Sequence, residues 1–394
     1  MEPGARILVL NAGSSSLKFA LYPAGGGRGS EIRGEVAGIG RAPRFAVRRG
    51  GRAPETRDAA SASDARSALD AVFDWLESGV PDARVAAVGH RVVHGGPRTG
   101  PAAVDATLLE ELRRIVPLAP LHQPHNLEAI EAASERFPGV PQAACFDTSF
   151  HRGRPVLADL VALPEEIRRA GVQRYGFHGL SYESIAGVLP RVAPELARGR
   201  VIVAHLGSGA SLCALRDGRA VDTTMGFTAL DGLCMGTRPG SLDPGIVLFL
   251  FQSLGLSAKD VETLLYERSG LLGVSGIAAD MRELLASDAP AARLAVDFFV
   301  RRVAQEIGAL AAVLGGVDGL VFTAGIGENS AAVRARIGEA SRWLGVELDD
   351  TANAAHGPRI SRPGARVSAW VVPTDEEKMI AMHTAAALDL PEVG

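Results

Sequence analysis

Two rhythms of apolar and polar residues alternate along the chain. Short apolar runs bounded by Gly, Pro, Asn and Asp predict strands at residues 7–10, 19–22, 85–88, 143–146, 201–205, 320–322 and 367–372. Helical spacing predicts helices at residues 64–76, 106–116, 126–136, 181–189, 259–268, 291–314 and 330–344. Strands interleaved with helices in this way predict an α/β fold. The run at residues 246–251 is among the most apolar and reads as a buried helix. No uninterrupted apolar stretch approaches the roughly 20 residues that span a bilayer.

One internal echo sets the expected topology. Val9-Leu10-Asn11-Ala12-Gly13-Ser14-Ser15-Ser16-Leu17 runs into Phe19-Ala20-Leu21. Half a chain later, Val203-Ala204-His205-Leu206-Gly207-Ser208-Gly209-Ala210-Ser211-Leu212 runs into Cys213-Ala214-Leu215. Each reads as strand, Gly/Ser turn, strand. A repeat at half-length predicts two similarly folded domains, each opening with a β-hairpin.

Composition narrows the function classes. A chain of 394 residues exceeds what one core usually serves, so two domains are expected. Net charge is −4, and the one Arg-rich stretch, residues 41–52, reads as a solvated hairpin face. Neither nucleic acid nor an anionic membrane is an expected partner. Cys145, Cys213 and Cys234 are odd in number and far apart, which fits neither a disulfide framework nor a zinc site. The cytoplasm is the expected compartment.

The chemistry-bearing residues cluster at turns. Gly/Ser turns between strands can aim backbone N–H groups and hydroxyls at a phosphate, and Lys18 stands two residues beyond Ser16. No Walker sequence is present, which argues against a P-loop. A third glycine turn, residues 323–329, resembles a dinucleotide fingerprint, but Ser330 occupies the place of the third glycine. A nicotinamide enzyme would need the complete pattern. His90 and His94 are four apart in a strand-like segment, so that spacing is not a zinc signal. His122 and His125 flank Pro124, which is expected to spoil helical geometry. Arg91 and Arg238 sit among glycines, where a bidentate cation can meet a phosphate or carboxylate. Asp147 ends an apolar strand, a usual place for a functional carboxylate in α/β folds. Glu376 and Glu377 follow a strand and a turn, and one of them is a candidate helix cap.

Taken together, six motifs resemble the acetate kinase family: residues 11–18, 89–96, 174–179, 222–228, 235–238 and 322–329. The resemblance runs in order from residue 7 to about residue 385. It implies the duplicated α/β fold shared by acetate kinase, sugar kinases, heat-shock ATPases and actin, with two domains around an interdomain cleft. The first would be residues 1–147, with the C-terminal helix 376–394 packing back on it. The second, 148–375, would bind nucleotide and form a homodimer contact. The implied reaction is reversible, direct in-line transfer of a phosphoryl group from ATP to acetate, with propionate or a broader set of short-chain acids as the alternative. Mg²⁺ is the implied metal, with Mn²⁺ as a substitute, and ATP the co-substrate. A non-enzymatic ATPase of the same fold would need no acid pocket flanked by two arginines.

The resemblance also implies residue roles. Asn11, Ser14, Ser16 and Lys18 match the first phosphate turn, and His205, Gly207, Ser208 and Gly209 the second. Arg91 and Arg238 match the arginines that hold the acid and the moving phosphoryl group, Asp147 the carboxylate beside them, and His178 the histidine on the phosphoryl oxygens. Glu376, with Asn11, matches the magnesium site. Asp280, Arg282, Gly325, Ile326 and Asn329 match the adenosine pocket, and Val93, Leu121, Phe177 and Ala229 the pocket for the acid's methyl group. The chain departs from the family pattern at four places. Ser208 replaces an asparagine, Pro239-Gly240-Ser241 replaces Ser-Gly-Asp, Ala229 replaces a proline, and Gln123 replaces an asparagine.

Overall fold

The structure, a computed structural model, describes residues 4–13, 16–25, 29–30, 32–50, 52–58, 62–80 and 82–393. Ser14 lies outside the described residues. The chain divides into two compact units, Met1–Arg152 with Asp375–Gly394, and Gly153–Thr374. The first boundary therefore falls five residues beyond the expected 147.

In the first unit the strands are β1 (Ala5–Ala12), β2 (Ser16–Pro23), β3 (Ile32–Ala37), β4 (Arg44–Arg49), β5 (Glu55–Asp58), β6 (Arg84–Val92), β7 (Ala102–Ala103) and β8 (Gln142–Phe146). They form one sheet in the order β5-β4-β3-β2-β1-β6-β8-β7. β1 runs antiparallel to β2 and parallel to β6, and β6 runs parallel to β8. β1 is buried along almost its whole length because both faces of the sheet are covered. Leu8, Leu10 and Val88 join a core with Leu69, Val72 and Phe73 of the helix Ala65–Gly79 and with Ala129, Ala132 and Ala133 of the helix Gln123–Arg136. The C-terminal helix Glu376–Ala387 packs on β1, β6 and β8. That approach requires Gly89, since a Cβ there would lie 2.1 Å from Thr384 Oγ1.

The second unit carries β9 (Arg200–Leu206), β10 (Ala210–Arg216), β11 (Arg219–Thr223), β12 (Gly319–Thr323) and β13 (Ser368–Val371), in the order β11-β10-β9-β12-β13. β9 is antiparallel to β10 and parallel to β12, and β12 is parallel to β13. The order β3-β2-β1-β6-β8 in the first sheet is the same arrangement, an antiparallel three-strand meander continued by two parallel strands. The fold is thus duplicated, as the half-length echo predicted.

Three expectations are corrected. Residues 246–251 do form a helix, Pro244–Gln252, but it is not buried. Leu248 and Phe249 are 55% and 52% exposed, and Leu250 alone in that helix is buried. Pro124 does not spoil a helix: it stands in the first turn of Gln123–Arg136, where a missing N–H is tolerated, with His122 as N-cap. Within the Arg-rich stretch Arg44 and Arg48 are exposed, whereas Arg49 packs over the Trp75 ring at 5.1 Å and donates to Gly79 O.

His90, wholly buried on β6, has Nε2 2.6 Å from Gln142 Oε1. Burial pushes its pKa down to about 4, and burial with nearby Arg152 does the same for His94. Between the ordinary value near 6.5 and about 4, the unfolded chain binds protons at these sites that the folded chain refuses. Stability should therefore be intact above pH 6.5 and fall as pH drops toward 4, by about 3 kcal/mol for each histidine. In denaturant titrations at pH 7 and pH 4.5, His90→Gln should show a smaller loss between the two conditions than the parent. An unchanged loss would exclude His90 as a contributor.

Candidate active site

In the first unit the candidate charges meet at the ends of β1, β6 and β8. Arg91 stands one residue before the end of β6, and Asp147 follows β8, its N–H donating to Val92 O. Neighbouring parallel strands bring the two side chains together. Arg91 Nη2 and Nε donate to Asp147 Oδ2 at 2.6 and 3.1 Å, a geometry only a guanidinium supplies. Asp147 is 1% exposed. Burial pushes its carboxyl up and Glu376 adds to this, while Arg91 pulls the other way. Burial also works against the Arg91 charge, but Asp147, Glu376 and Glu377 outweigh it and hold the guanidinium protonated.

Asn11, on β1, links this pair to the C-terminal helix. Its Oδ1 accepts from Arg91 Nη1 at 3.3 Å, and its Nδ2 donates to Glu376 Oε2 at 3.1 Å and Glu377 Oε1 at 3.2 Å. Neither glutamate is the helix cap, because Asp375 takes that role by accepting from the Lys378 N–H. Burial and the adjacent Glu376 raise the Glu377 carboxyl, and Lys18 opposes them. Asp147, Glu376 and Glu377 share the region with Arg91, an exposed Lys18 and Arg33, whose Nη1 lies 4.0 Å from Glu377 Oε2. No three His, Cys, Asp or Glu side chains form a metal cage among the described residues. The residues still fit Mg²⁺, which usually takes one or two carboxylates together with water and substrate phosphates. Ser16 opens β2 across the turn, and Asn11 pairs with Lys18 in the ladder.

In the second unit the turn Gly207-Ser208-Gly209 joins β9 to β10, with Gly207 N–H donating to Gly209 O and Gly236 N–H to Ser208 O. A Cβ at position 209 would lie 2.7 Å from Arg238 Nη2 and 3.2 Å from His178 Nε2, so glycine is what lets these groups reach the turn. Arg238 is anchored by Nη1 donating to Ala229 O at 2.7 Å. His178, the N-cap of the helix Gly179–Val192 at φ 57°, stacks on His205 with ring centroids 4.1 Å apart.

The adenosine candidates border the same turn. A Cβ at Gly207 would touch Ala324, which precedes Gly325, and one at Gly236 would touch Ala279, which precedes Asp280. Residues Ala324–Asn329 are not a turn, as the glycine pattern suggested, but a short helix, with Asn329 Nδ2 bonded to Gly325 O. Asp280 caps the helix Met281–Ala286 and pairs with the exposed Arg282 at 2.6 Å. Of the methyl-pocket candidates, Val93 and Leu121 belong to the first unit, Phe177 and Ala229 to the second. Val93, Phe177 and Ala229 are buried.

Several structural supports were not picked out from sequence. Arg334 is wholly buried and donates to Gly327 O, Glu328 O and Asn353, bracing the short helix from behind. Asn126 accepts from Val93 N and donates to Ala12 O, tying the ends of β6 and β1 together. Glycine carbonyls and neutral amides leave no signature that a single sequence would reveal.

A sequence model described as the acetokinase family matches residues 6–382. The acetate kinase of Nitrobacter hamburgensis is 52% identical over 391 residues, covering 97% of this chain and 96% of that protein. Among solved structures, a propionate kinase from Francisella tularensis superposes with TM-score 0.88 at 34% identity, covering 97% of this chain and 99% of that one. Porphyromonas gingivalis acetate kinase superposes with TM-score 0.83 at 34% identity, covering 98% and 100%.

Removing one partner of a buried ion pair strands the other charge. Arg91→Ala should therefore destabilise the protein by about 3–5 kcal/mol, and Arg91→Ala with Asp147→Ala by clearly less than the sum of the single changes. Denaturant unfolding of the three variants measures the coupling. Additive losses would mean that the pair contributes nothing as a unit.

Proposed function

The chain belongs to the acetokinase family, and from that premise we propose that it transfers the γ-phosphoryl group of ATP to acetate, reversibly, giving acetyl phosphate and ADP. The observation that supports this best is the Arg91–Asp147 pair, a partly exposed guanidinium fixed in one orientation by a buried carboxylate, with part of its donor fork turned to Asn11. A carboxylate is already an anion at neutral pH and needs no general base. One of its oxygens forms the new bond to phosphorus as the β,γ-bridging oxygen leaves with ADP. The obstacle is bringing one anion against another, which fixed cations and positioning overcome. Arg91 and Arg238 supply that charge in our reading. Asp147, with both oxygens on Arg91, orients the cation rather than taking a proton.

Asn11 and Glu376 would hold Mg²⁺, which when bound neutralises phosphate charge. Ser14, Ser16, Lys18, His205 and Gly207–Gly209 would take the phosphates, His178 the moving phosphoryl group, and Asp280, Arg282, Gly325, Ile326 and Asn329 the adenosine. In this reading residues 153–374 bind the nucleotide, and the protein works in the cytoplasm. Incubation with ATP, Mg²⁺ and hydroxylamine tests the function, since an acyl phosphate is trapped as a hydroxamate only when the acid is present. No acid-dependent hydroxamate from any short-chain acid would sink it.

Propionate is the second reading, and Ala229 favours it. Alanine there is smaller by the ring carbons of the proline that the family resemblance implies. One methylene in an apolar pocket is worth roughly 10- to 200-fold in discrimination. We expect propionate to fall within about tenfold of acetate in kcat/KM, and Ala229→Pro to shift preference toward acetate. Competition kinetics with both acids decides the matter, and an unmoved ratio in the variant refutes the pocket assignment.

We also propose a homodimer through the exposed apolar face of Pro244–Gln252, since contiguous exposed patches of this kind usually mark an interface. Phe249→Glu should give a monomer in sedimentation velocity, and a dimer surviving that change excludes this face.

A further inference from the structure

Two elements of the second unit exchange a matched pair of hydrogen bonds. The helix Gly179–Val192 and its N-cap supply His178 and Ser181, and the hairpin of β9 and β10 supplies His205 and Ser211. His178 Nδ1 lies 2.8 Å from Ser211 Oγ, and His205 Nδ1 lies 2.8 Å from Ser181 Oγ. Ser211 and His205 stand opposite each other in the ladder, so both project from the same face of the hairpin. The two imidazoles stack with 16° between their planes. Their other edges reach the glycine turn: a Cβ at position 209 would lie 3.2 Å from His178 Nε2, and one at position 207 would lie 3.9 Å from His205 Nε2.

Ser211 has a second partner, the hydroxyl of Tyr182, and both residues are fully buried. A serine has one proton to give. A Tyr182 proton donated to Ser211 Oγ leaves the serine proton for His178 Nδ1, which when unprotonated is a stronger acceptor than a phenol oxygen. Burial holds the Tyr182 proton in place well above the usual range for a phenol.

We propose that Ser211, backed by Tyr182, is a positioning residue that fixes His178 as the neutral Nε2–H tautomer. His178 then presents an Nε2–H donor to phosphate oxygens at the turn 207–209, beside His205, whose Nδ1 lies 2.8 Å from Ser181 Oγ. The proposal rests on the reading of that turn as a phosphate site. Neutral rings suit the arrangement, because two imidazolium ions at this stacking distance would repel. Donors oriented in advance need no reorganisation as charge moves onto the phosphoryl oxygens.

Long-range ¹H–¹⁵N correlation spectra of histidine-labelled protein report each tautomer, and His178→Asn assigns the His178 signals. The expected wild-type result is the Nε2–H form. Ser211→Ala should give a mixture of tautomers and lower kcat by about 10- to 100-fold, with the KM for the acid unchanged. Tyr182→Phe, which keeps the serine but loses the phenol proton, should fall between wild type and Ser211→Ala in both tautomer purity and kcat. The double variant Tyr182→Phe with Ser211→Ala removes the phenol left beside the alanine, and should recover thermal stability but not turnover. Recovery of both would make Ser211 merely structural and overturn the proposal. So would a wild-type Nδ1–H tautomer, or a Ser211→Ala variant that keeps its kcat. A wild type that makes no acyl phosphate would defeat the functional reading, while the tautomer measurement would still decide the role of Ser211.

Discussion

A guanidinium locked to a buried carboxylate organises the first unit. Asp147 is buried with its charge, which is tolerable there because the partly exposed Arg91 answers it. The pairing requires β6 and β8 to end side by side, which the parallel ladder enforces with Arg91 opposite Cys145. It also requires Asn11 at the end of β1 and the first turn of the C-terminal helix in reach, which close packing of Thr384 on Gly89 secures. Strand order, a glycine and the return of the chain's last helix thus all serve one electrostatic arrangement.

The second unit solves a different problem, one of close approach. Its turn 207–209 is lined by backbone, by two stacked imidazoles and by Arg238, whose position depends on the Ala229 carbonyl. Residue size matters more than charge there. Glycine at 209 leaves room for Arg238 and His178, and buried serines on the far side of the rings set their orientation. Arg334 extends the same logic, since a fully buried cation spends its donors on carbonyls and an amide to hold a short helix in place.

The surface helix Pro244–Gln252 shows how a correct local reading can miss burial. Local signals start this helix, with Asp243 capping it through the Gly245 N–H and Pro244 in its first turn. Whether such a helix is buried depends on what packs against it, and within this chain little does. Pro124 teaches the complementary lesson. The same residue breaks a helix in its middle and starts one at its head, and only the backbone path tells which.

Periodicity and turn chemistry by themselves determined the α/β class, the two hairpins and the duplication, because these depend on patterns of two and 3.6 residues and on glycines at fixed offsets. They also singled out Arg91, Asp147, Arg238 and the glycine turns, since charged residues at strand ends and among glycines stand out locally. Tertiary structure alone decided that Asp147 grips Arg91, that Glu376 and Glu377 both meet Asn11 across 365 and 366 residues of chain, and that Ser211 and Ser181 hold the two histidines. Partners in a hydrogen bond need only about 3 Å of space between them, and nothing in their sequence separation records it. A serine or asparagine is ordinary in any strand or helix, and its role appears only when packing brings one particular acceptor or donor against it.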